Sequence, residues 1–290
     1  MSFINEFWDD YKIIDAGNGE KLERWKDMVL RRPDPQCLWL KDDNIKLWNK
    51  ADAIYHRSNK GGGNWEYKKD LPDQWTISYK DLSFKVSPTG FKHTGLFPEQ
   101  AANWDWFSSL IKNEEREIHV LNLFAYTGAA TLFASYSGAK EVVHVDAAKG
   151  MVNWAKENMA LNKMEDRTIR FIVDDVNKFV QREKRRNHIY QGIIMDPPSY
   201  GRGPNGEMWK LEEQLPVLIN NCLEILDDDP LFFLVNTYSD SFTPVSLYNL
   251  LNTTVGKKYP QLNIDCDSLC LKIERDNLLL PCGISGRVSR

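Results

Sequence analysis

Residues 119–146 read HVLNLFAYTGAATLFASYSGAKEVVHVD, and the fold is decided there. The apolar run at 119–124 has the length and branching of a buried strand. Tyr126, Thr127 and Gly128 break it as a sharp turn, small residues follow as a helix, and a second apolar run closes on Asp146. A strand that turns through glycine into a helix leaves backbone N–H groups unpaired at the helix start, where they can hold a polar ligand. A carboxylate at the tip of the next parallel strand lies beside that crevice and can accept both hydroxyls of a ribose. The unit predicts a nucleoside-cofactor site, with Phe124, Tyr126, Thr127, Gly128 and Asp146 as candidate contacts.

A dinucleotide would need G-x-G-x-x-G at this turn, and Phe124 and Tyr126 stand where glycines would let a pyrophosphate reach the backbone. A P-loop is excluded because no Gly-Lys-Ser/Thr follows. The remaining common nucleoside is S-adenosylmethionine (SAM), which needs less room.

Beyond Asp146, helical and strand patterns alternate: helix 148–161, strand 169–173, helix 176–186, strand 192–195, helix 207–226, strand 231–236, helix 245–259, then two final strands in the runs 268–273 and 278–288. Alternation of this kind implies a parallel sheet with helices on both faces. Asp175 and Asp196 follow successive strands, so an ordered series (the Gly128 turn, Asp146, Asp175, Asp196) falls at carboxyl ends. A carboxylate at Asp174 or Asp175 can accept the exocyclic amine of an adenine, although aspartates at strand ends are often only helix caps.

Asp196 opens D-P-P-S-Y-G at 196–201. Two prolines hold the chain extended and remove N–H donors, giving a stiff edge with outward carbonyls that can hold a flat heterocycle. Asp196, Pro197, Pro198 and Tyr200 are the catalytic candidates, with Ser199 and Arg202 as substrate contacts. The segment 200–209, YGRGPNGEMW, is glycine-rich and placed to close over a substrate, with Arg202 meeting a phosphate or stacking on a base. Upstream, GLFPEQ at 95–100 leads into a helix whose first turn carries Pro98 and Glu99, as the macrodipole favours.

Against the general pattern of Rossmann-like methyltransferases, Asn122 stands where an acid is usual and only Gly128 of three glycines is present. LNLFAYTG, DPPSYGRG and GLFPEQ together resemble a narrower group, the large-subunit ribosomal RNA methyltransferases I and K and their relatives, from Gly95 onward. The resemblance implies a seven-stranded methyltransferase sheet with a closing hairpin, SAM as cofactor, Asp175 rather than Asp174 at the adenine, Phe97 and Gln100 as further cofactor contacts, and ribosomal RNA as substrate. One branch of that family methylates carbon 5 of cytosine through a cysteine after the fifth strand. Here Asn236, Thr237, Tyr238 and Ser239 occupy that place, so methylation of a ring or exocyclic nitrogen, or of a 2′-hydroxyl, fits better, with a base nitrogen as the leading reading. Methyl transfer from a sulfonium is an in-line displacement needing alignment and dryness, and no metal is expected. His119, His144 and His188 show no metal-ligand spacing.

Residues 1–95 form a separate β-rich domain, with residues 96–290 as the methyltransferase domain. Strand-like runs at 10–16, 37–40, 65–68, 75–79 and 82–88 are separated by Gly, Pro and Asp clusters. Trp39, Trp48, Trp65 and Trp75 could stack on bases, but tryptophans on short strands more often fill a small core. The loop 57–69, RSNKGGGNWEYKK, is basic and flexible in composition, and no phosphate-binding helix follows its glycines. A formal charge of −4 does not advertise a nucleic-acid binder, so RNA contact must come from local patches such as QREKRRN at 181–187, unless that run only answers its own helix dipole. Five scattered cysteines without a C-x-x-C pair suggest reduced thiols. No signal peptide or membrane-length apolar run is present, which predicts a cytoplasmic protein. The competing readings are a methyltransferase for a protein or small molecule, which the acidic balance favours, and a non-catalytic cofactor-binding scaffold. The oligomeric state is open.

Overall fold

The computed structural model describes residues 2–43, 45–58, 62–90, 92–202 and 208–290, with the side chains of Ile45 and Arg202 outside that description. The chain forms two compact units. One comprises Ile4–Ala102 with Leu269–Cys282, the other Asn103–Ser268 with Gly283–Arg290 and the first residues of the chain.

After a two-residue strand β1 (Phe3–Ile4), the first unit holds β2 (Tyr11–Gly17), β3 (Glu20–Trp25), β4 (Met28–Pro33), a short helix α1 (Ile45–Trp48), β5 (Ala53–Arg57) and β6 (Gly63–Tyr67). Strands β2 to β6 form a five-stranded sheet in sequence order, antiparallel except for the β4–β5 pair; β7 (Trp75–Tyr79) and β8 (Leu82–Val86) form a separate hairpin. Strands β3, β4 and β5 lie outside the runs that alternation singled out. The reason is visible in EKLERW and MVLRRP: charges sit on the inward face because they pair there. Glu23 is fully buried and accepts from Arg32 Nε at 2.6 Å, Arg32 Nη2 at 2.8 Å and the Tyr11 hydroxyl at 2.7 Å. Burial alone would raise its pKa; Arg32 and Lys21 beside it hold it down at about 2. Residues 37–40, expected as a strand, are a loop with Leu38 85% and Leu40 77% exposed. The tryptophans behave as scaffold. Trp48 is buried and donates to Asp15 at 2.7 Å, and the half-buried Trp39, Trp65 and Trp75 donate to the carbonyls of Ala16, Thr89 and Trp25.

From α2 (Ala101–Lys112) the pattern changes to β9 (His119–Leu123), α3 (Ala129–Tyr136), β10 (Glu141–Asp146), α4 (Lys149–Leu161), β11 (Ile169–Val173), α5 (Val176–Arg185) and β12 (Gly192–Met195). A short ribbon, β13 (Tyr200–Arg202) and β14 (Met208–Lys210), precedes α6 (Leu211–Leu223), β15 (Phe232–Thr237), α7 (Pro244–Leu251), β16 (Asn263–Lys272) and β17 (Leu279–Ser289). One sheet takes the order β1-β16-β17-β15-β12-β9-β10-β11. Strands β11, β10, β9, β12 and β15 are parallel, with Val142 opposite Val120, Ile193 opposite Leu121 and Ile194 opposite Leu234; β17 runs antiparallel to β15. Two residues of β1 make an eighth strand beyond the expected seven.

Short, mainly apolar runs form these strands because both faces are covered. On one face Leu121, Val143, Ile193 and Phe233 meet Val176, Phe179 and Val180 of α5 and Leu215, Leu218 and Ile219 of α6, all essentially inaccessible. Each such side chain contributes about 1.5–3 kcal/mol when fully buried. One expected helix is shorter than its pattern, because Met208–Lys210 pairs with Tyr200–Arg202 and α6 starts at Leu211. The helix expected at 245–259 starts at Pro244 as α7 and widens into a π turn over Asn252–Gly256 before its last residues. Strand order reverses direction between β9 and β12. In a sheet of this type the crevice beyond the carboxyl ends at that reversal is where ligands sit.

Candidate cofactor and active site

Three residues of the turn after β9 are wound left-handed: Phe124 (φ 55°), Tyr126 (φ 50°) and Gly128 (φ 89°). Non-glycine residues held this way are uncommon and cluster at ligand clamps. Gly128 is required on a second count, because an added Cβ would come 2.8 Å from the Ala155 Cβ of α4. Backbone bonds lock the turn: Ala125 N donates to Val145 O at 3.1 Å and Gly128 N to Ala125 O at 3.1 Å. Asn158 of α4 donates to Thr127 O at 2.9 Å. The amides of Ala125 and Gly128 are thus engaged by backbone carbonyls of β10 and of the turn itself, and the expectation that turn N–H groups face a ligand passes to the first turn of α3, whose donors have no partner within the helix.

Asp146 closes β10 and fastens the crevice. Its Oδ2 accepts from Tyr126 N at 2.9 Å and its Oδ1 from Ala148 N at 2.8 Å, so one carboxylate joins the turn after β9 to the entry of α4. Each oxygen keeps a lone pair. Burial raises the Asp146 pKa above the ordinary value, against the pull of those two backbone bonds.

Beneath the turn lies a polar triad that no motif announces. Asn122 Nδ2 donates to Thr131 Oγ1 at 2.9 Å, and Thr131 Oγ1 lies 2.9 Å from His144 Nδ1. Asn122 replaces the usual acid with an amide that can pair with a buried hydroxyl. Burial depresses the His144 pKa to about 3, so the imidazole is neutral, the core role expected of a histidine inside a strand.

Asp175 is the N-cap of α5, its Oδ1 accepting from Lys178 N at 2.9 Å, and Asp174 pairs with Arg182. Lys184 pairs with Glu224 and Arg186 with Glu183, so most of the basic run 181–187 is answered by carboxylates. At the end of β12, Asp196 N donates to Leu123 O at 3.3 Å, which sets the half-buried Asp196 beside the tip of β9. Pro197 is buried, whereas Pro198, Ser199 and Tyr200 are exposed, Tyr200 to 54%. The Pro198 carbonyl, expected to face a substrate, accepts from Trp209 Nε1 at 2.7 Å. The Trp209 ring also lies 5.0 Å from that of Phe124. Trp209 therefore bridges the two loops of the site. Its position beyond a glycine-rich stretch hid this, since the β13–β14 pairing that returns it to the prolines has no sequence signature. Ser199 Oγ donates to Tyr238 O at 3.2 Å, which ties the proline loop to the end of β15.

Phe124, Tyr126, Thr127, Gly128, Asp146 and Asp196 are thus brought together at adjacent strand tips. Phe97 and Gln100 belong to the other unit, half-buried and buried respectively around a short helical turn at Pro98–Gln100. The Arg202 side chain and residues 203–207 of the expected lid lie outside the described residues.

Residues 53–218 match the family of S-adenosylmethionine-dependent methyltransferases. The ribosomal RNA large subunit methyltransferase K/L of Shewanella frigidimarina is 31% identical over 194 residues, covering 66% of this chain and 25% of that protein. Its counterpart in Pseudoalteromonas atlantica is 30% identical over 168 residues, covering 58% of this chain and 23% of that one. The chain spans about a quarter of the length of these curated relatives. A solved SAM-dependent methyltransferase from Agrobacterium tumefaciens matches all of this chain and 93% of its own, with TM-score 0.92 and 35% identity. Among the described residues no helix is long and apolar enough to cross a membrane.

Proposed function

This chain belongs to the family of S-adenosylmethionine-dependent methyltransferases, and from that premise we propose that it methylates a base nitrogen of ribosomal RNA. The residues suit the cofactor: a carboxylate anchored by two amides with lone pairs to spare, beside a turn whose left-handed residues hold Phe124 and Tyr126 where a dinucleotide fold would carry glycine. When bound, SAM supplies an activated methyl group. Asp146 would accept the ribose hydroxyls, the Gly128 turn and the start of α3 would hold the amino-acid end, and Asp175 would reach the adenine amine with the oxygen not used in capping.

The observation that carries the reaction is the rigid Asp196-Pro197-Pro198 edge beside the β9 tip, followed by the exposed ring of Tyr200. A planar base stacks on Tyr200, with Ser199 and Arg202 as further contacts, and Asp196 orients or polarises the nitrogen to be methylated. Trp209, packed on Phe124 and on the Pro198 carbonyl, helps exclude water. The thiols give no support to cysteine chemistry. Burial pushes those of Cys37 and Cys266 up to about 12 and raises Cys222 and Cys282 as well, the reverse of what a nucleophilic thiolate needs.

Ribosomal RNA is favoured by the likeness to the K/L enzymes and by a groove of about 600 Å³ between α5 and α6, lined by Lys178, Gln181, Arg182, Arg185, Gln214 and Asn221. Amide and guanidinium donors of that kind suit a phosphate backbone. An RNA substrate of this kind implies work in the cytoplasm. The ion pairs that answer Arg182, Lys184 and Arg186 favour the second reading, a protein or small-molecule substrate. Mapping modified nucleosides by mass spectrometry in ribosomal RNA from cells with and without the gene separates the two. One missing methylated base is expected, and an unchanged RNA together with retained binding of S-adenosylhomocysteine would move the assignment to the second reading.

A further inference from the structure

A second cluster occupies the opposite end of the same strands. His119 opens β9, Glu141 opens β10, and His188 lies in the connection from α5 to β12, so the alternation of the chain delivers all three to the amino-terminal edge of the parallel sheet. No sequence spacing could show this, because the residues meet only once the strands are in register. Glu141 Oε2 lies 3.4 Å from His119 Nδ1 and 3.4 Å from His188 Nε2, and each of the three residues offers a ligand atom within 4.8 Å of those of the other two. Such separations are long for hydrogen bonds. They match the edge of a tetrahedron with arms of about 2.0–2.1 Å, which is about 3.3–3.4 Å.

Two further observations point to an ion rather than to a pair of charged imidazoles. His119 Nδ1 is buried and makes no hydrogen bond among the described residues, although a carboxylate oxygen of Glu141 lies 3.4 Å away. His188 is already oriented: its Nδ1 sits 2.8 Å from Glu183 Oε2. A carboxylate only accepts, so the proton is on Nδ1 and the lone pair of Nε2 faces Glu141 and His119. Glu183 is fully buried and fixed by the Tyr190 hydroxyl at 2.6 Å and Arg186 Nη1 at 3.0 Å. A buried carboxylate holding the far nitrogen of a histidine is the usual support of a metal-ligating imidazole. The second oxygen of Glu141 lies 3.6 Å from Arg170 Nη1, which leaves Oε2 for the centre of the cluster.

We propose that His119, Glu141 and His188 bind one divalent transition ion of the zinc class, with water in the fourth position, joining the starts of β9 and β10 to the approach to β12. Two imidazoles and one carboxylate suit zinc better than the hard cations, which prefer all-oxygen shells. The half-buried ligands leave room for the water. The site is independent of the methyl-transfer reading.

The test is calorimetric titration of chelator-stripped full-length protein with zinc chloride, alongside visible spectra with cobalt chloride. One equivalent of zinc is expected, with the cobalt form showing the absorption of a four-coordinate ion. Glu183→Gln, which keeps all three ligands, should weaken zinc binding by about 10- to 100-fold. His119→Ala with His188→Ala should abolish it, while affinity for S-adenosylhomocysteine stays unchanged and certifies the fold. If the double variant fails to fold, the cobalt spectrum of the wild type and the Glu183→Gln shift decide. Absence of zinc binding by the wild type, or equal binding by wild type and double variant, overturns the proposal.

Discussion

The two ends of the parallel strands use the same vocabulary of carboxylates and histidines to opposite effect. At the carboxyl ends Asp146 is held by backbone amides, Tyr126 N and Ala148 N, and burial leaves its pKa raised. At the amino ends Glu141 and Glu183 face imidazoles and guanidiniums, and Arg186, with Tyr190, helps keep the Glu183 carboxyl below its ordinary range despite burial. A carboxylate positioned by amides has its place fixed and its acceptor capacity left over, which suits a ligand rich in hydroxyls. Where cations and imidazoles surround it, a carboxylate is a structural or metal-binding group. Backbone geometry, more than residue type, distinguishes the two.

The comparison breaks most visibly at Gly128. A Gly128→Val substitution forces a side chain into a left-handed position and against Ala155, and a loss of about 2–4 kcal/mol is expected. Thermal unfolding would record it, and calorimetry with S-adenosylhomocysteine should detect no binding. A variant that binds normally would show that the turn is not the cofactor cradle. Asp146→Asn keeps the shape but weakens two charge-assisted bonds and the ribose contact, and a loss of affinity of about 10- to 100-fold is expected. The acceptor must be ionised and its pKa is raised, so wild-type affinity should fall as pH drops toward the raised value, while the variant stays flat. Equal pH profiles would remove Asp146 from the site.

His144 sharpens the contrast between a histidine in the core and those at the sheet edge. Its pKa is about 3 in the folded chain and about 6.5 when unfolded, so between those values the unfolded chain binds the extra proton. Stability from this group is complete above about pH 6.5 and falls by about 1.4 kcal/mol per pH unit below it. His144→Gln should therefore lose less stability than wild type between pH 7 and pH 5 in denaturant titrations; parallel curves would contradict the assignment. Tyr200→Ala is expected to lower methyl transfer by about tenfold through lost stacking of about 1–3 kcal/mol, with affinity for S-adenosylhomocysteine nearly unchanged. The smallest effect belongs to the far end, where His119→Ala should alter that affinity by less than about twofold, the additivity expected of separated sites.

Much of the second unit was legible because its strands are buried on both faces, so VLNL, EVVHV and GIIM stand out as apolar runs and the acids that end them mark the crevice. The first unit was harder to read. Glu23 and Arg32 point inward as a matched pair, and a rule that sends charges outward cannot find β3 and β4. The site shows the same division. Gly128, Asp146 and Asp196 follow from position along the chain, but Trp209 and the triad of Asn122, Thr131 and His144 depend on pairings across the fold, and so do the ligands at the far edge of the sheet.

The backbone at Phe124 and Tyr126 is wound against its own preference, at roughly 1–2 kcal/mol per residue. Glycine at Phe124 would relieve that cost, and it would also remove the ring that packs on Trp209 and helps join the two loops. Comfort of the turn and closure over the proline edge therefore pull in opposite directions there, so a screen for heat-resistant mutants that recovered glycine at this position is expected to recover slower enzymes as well.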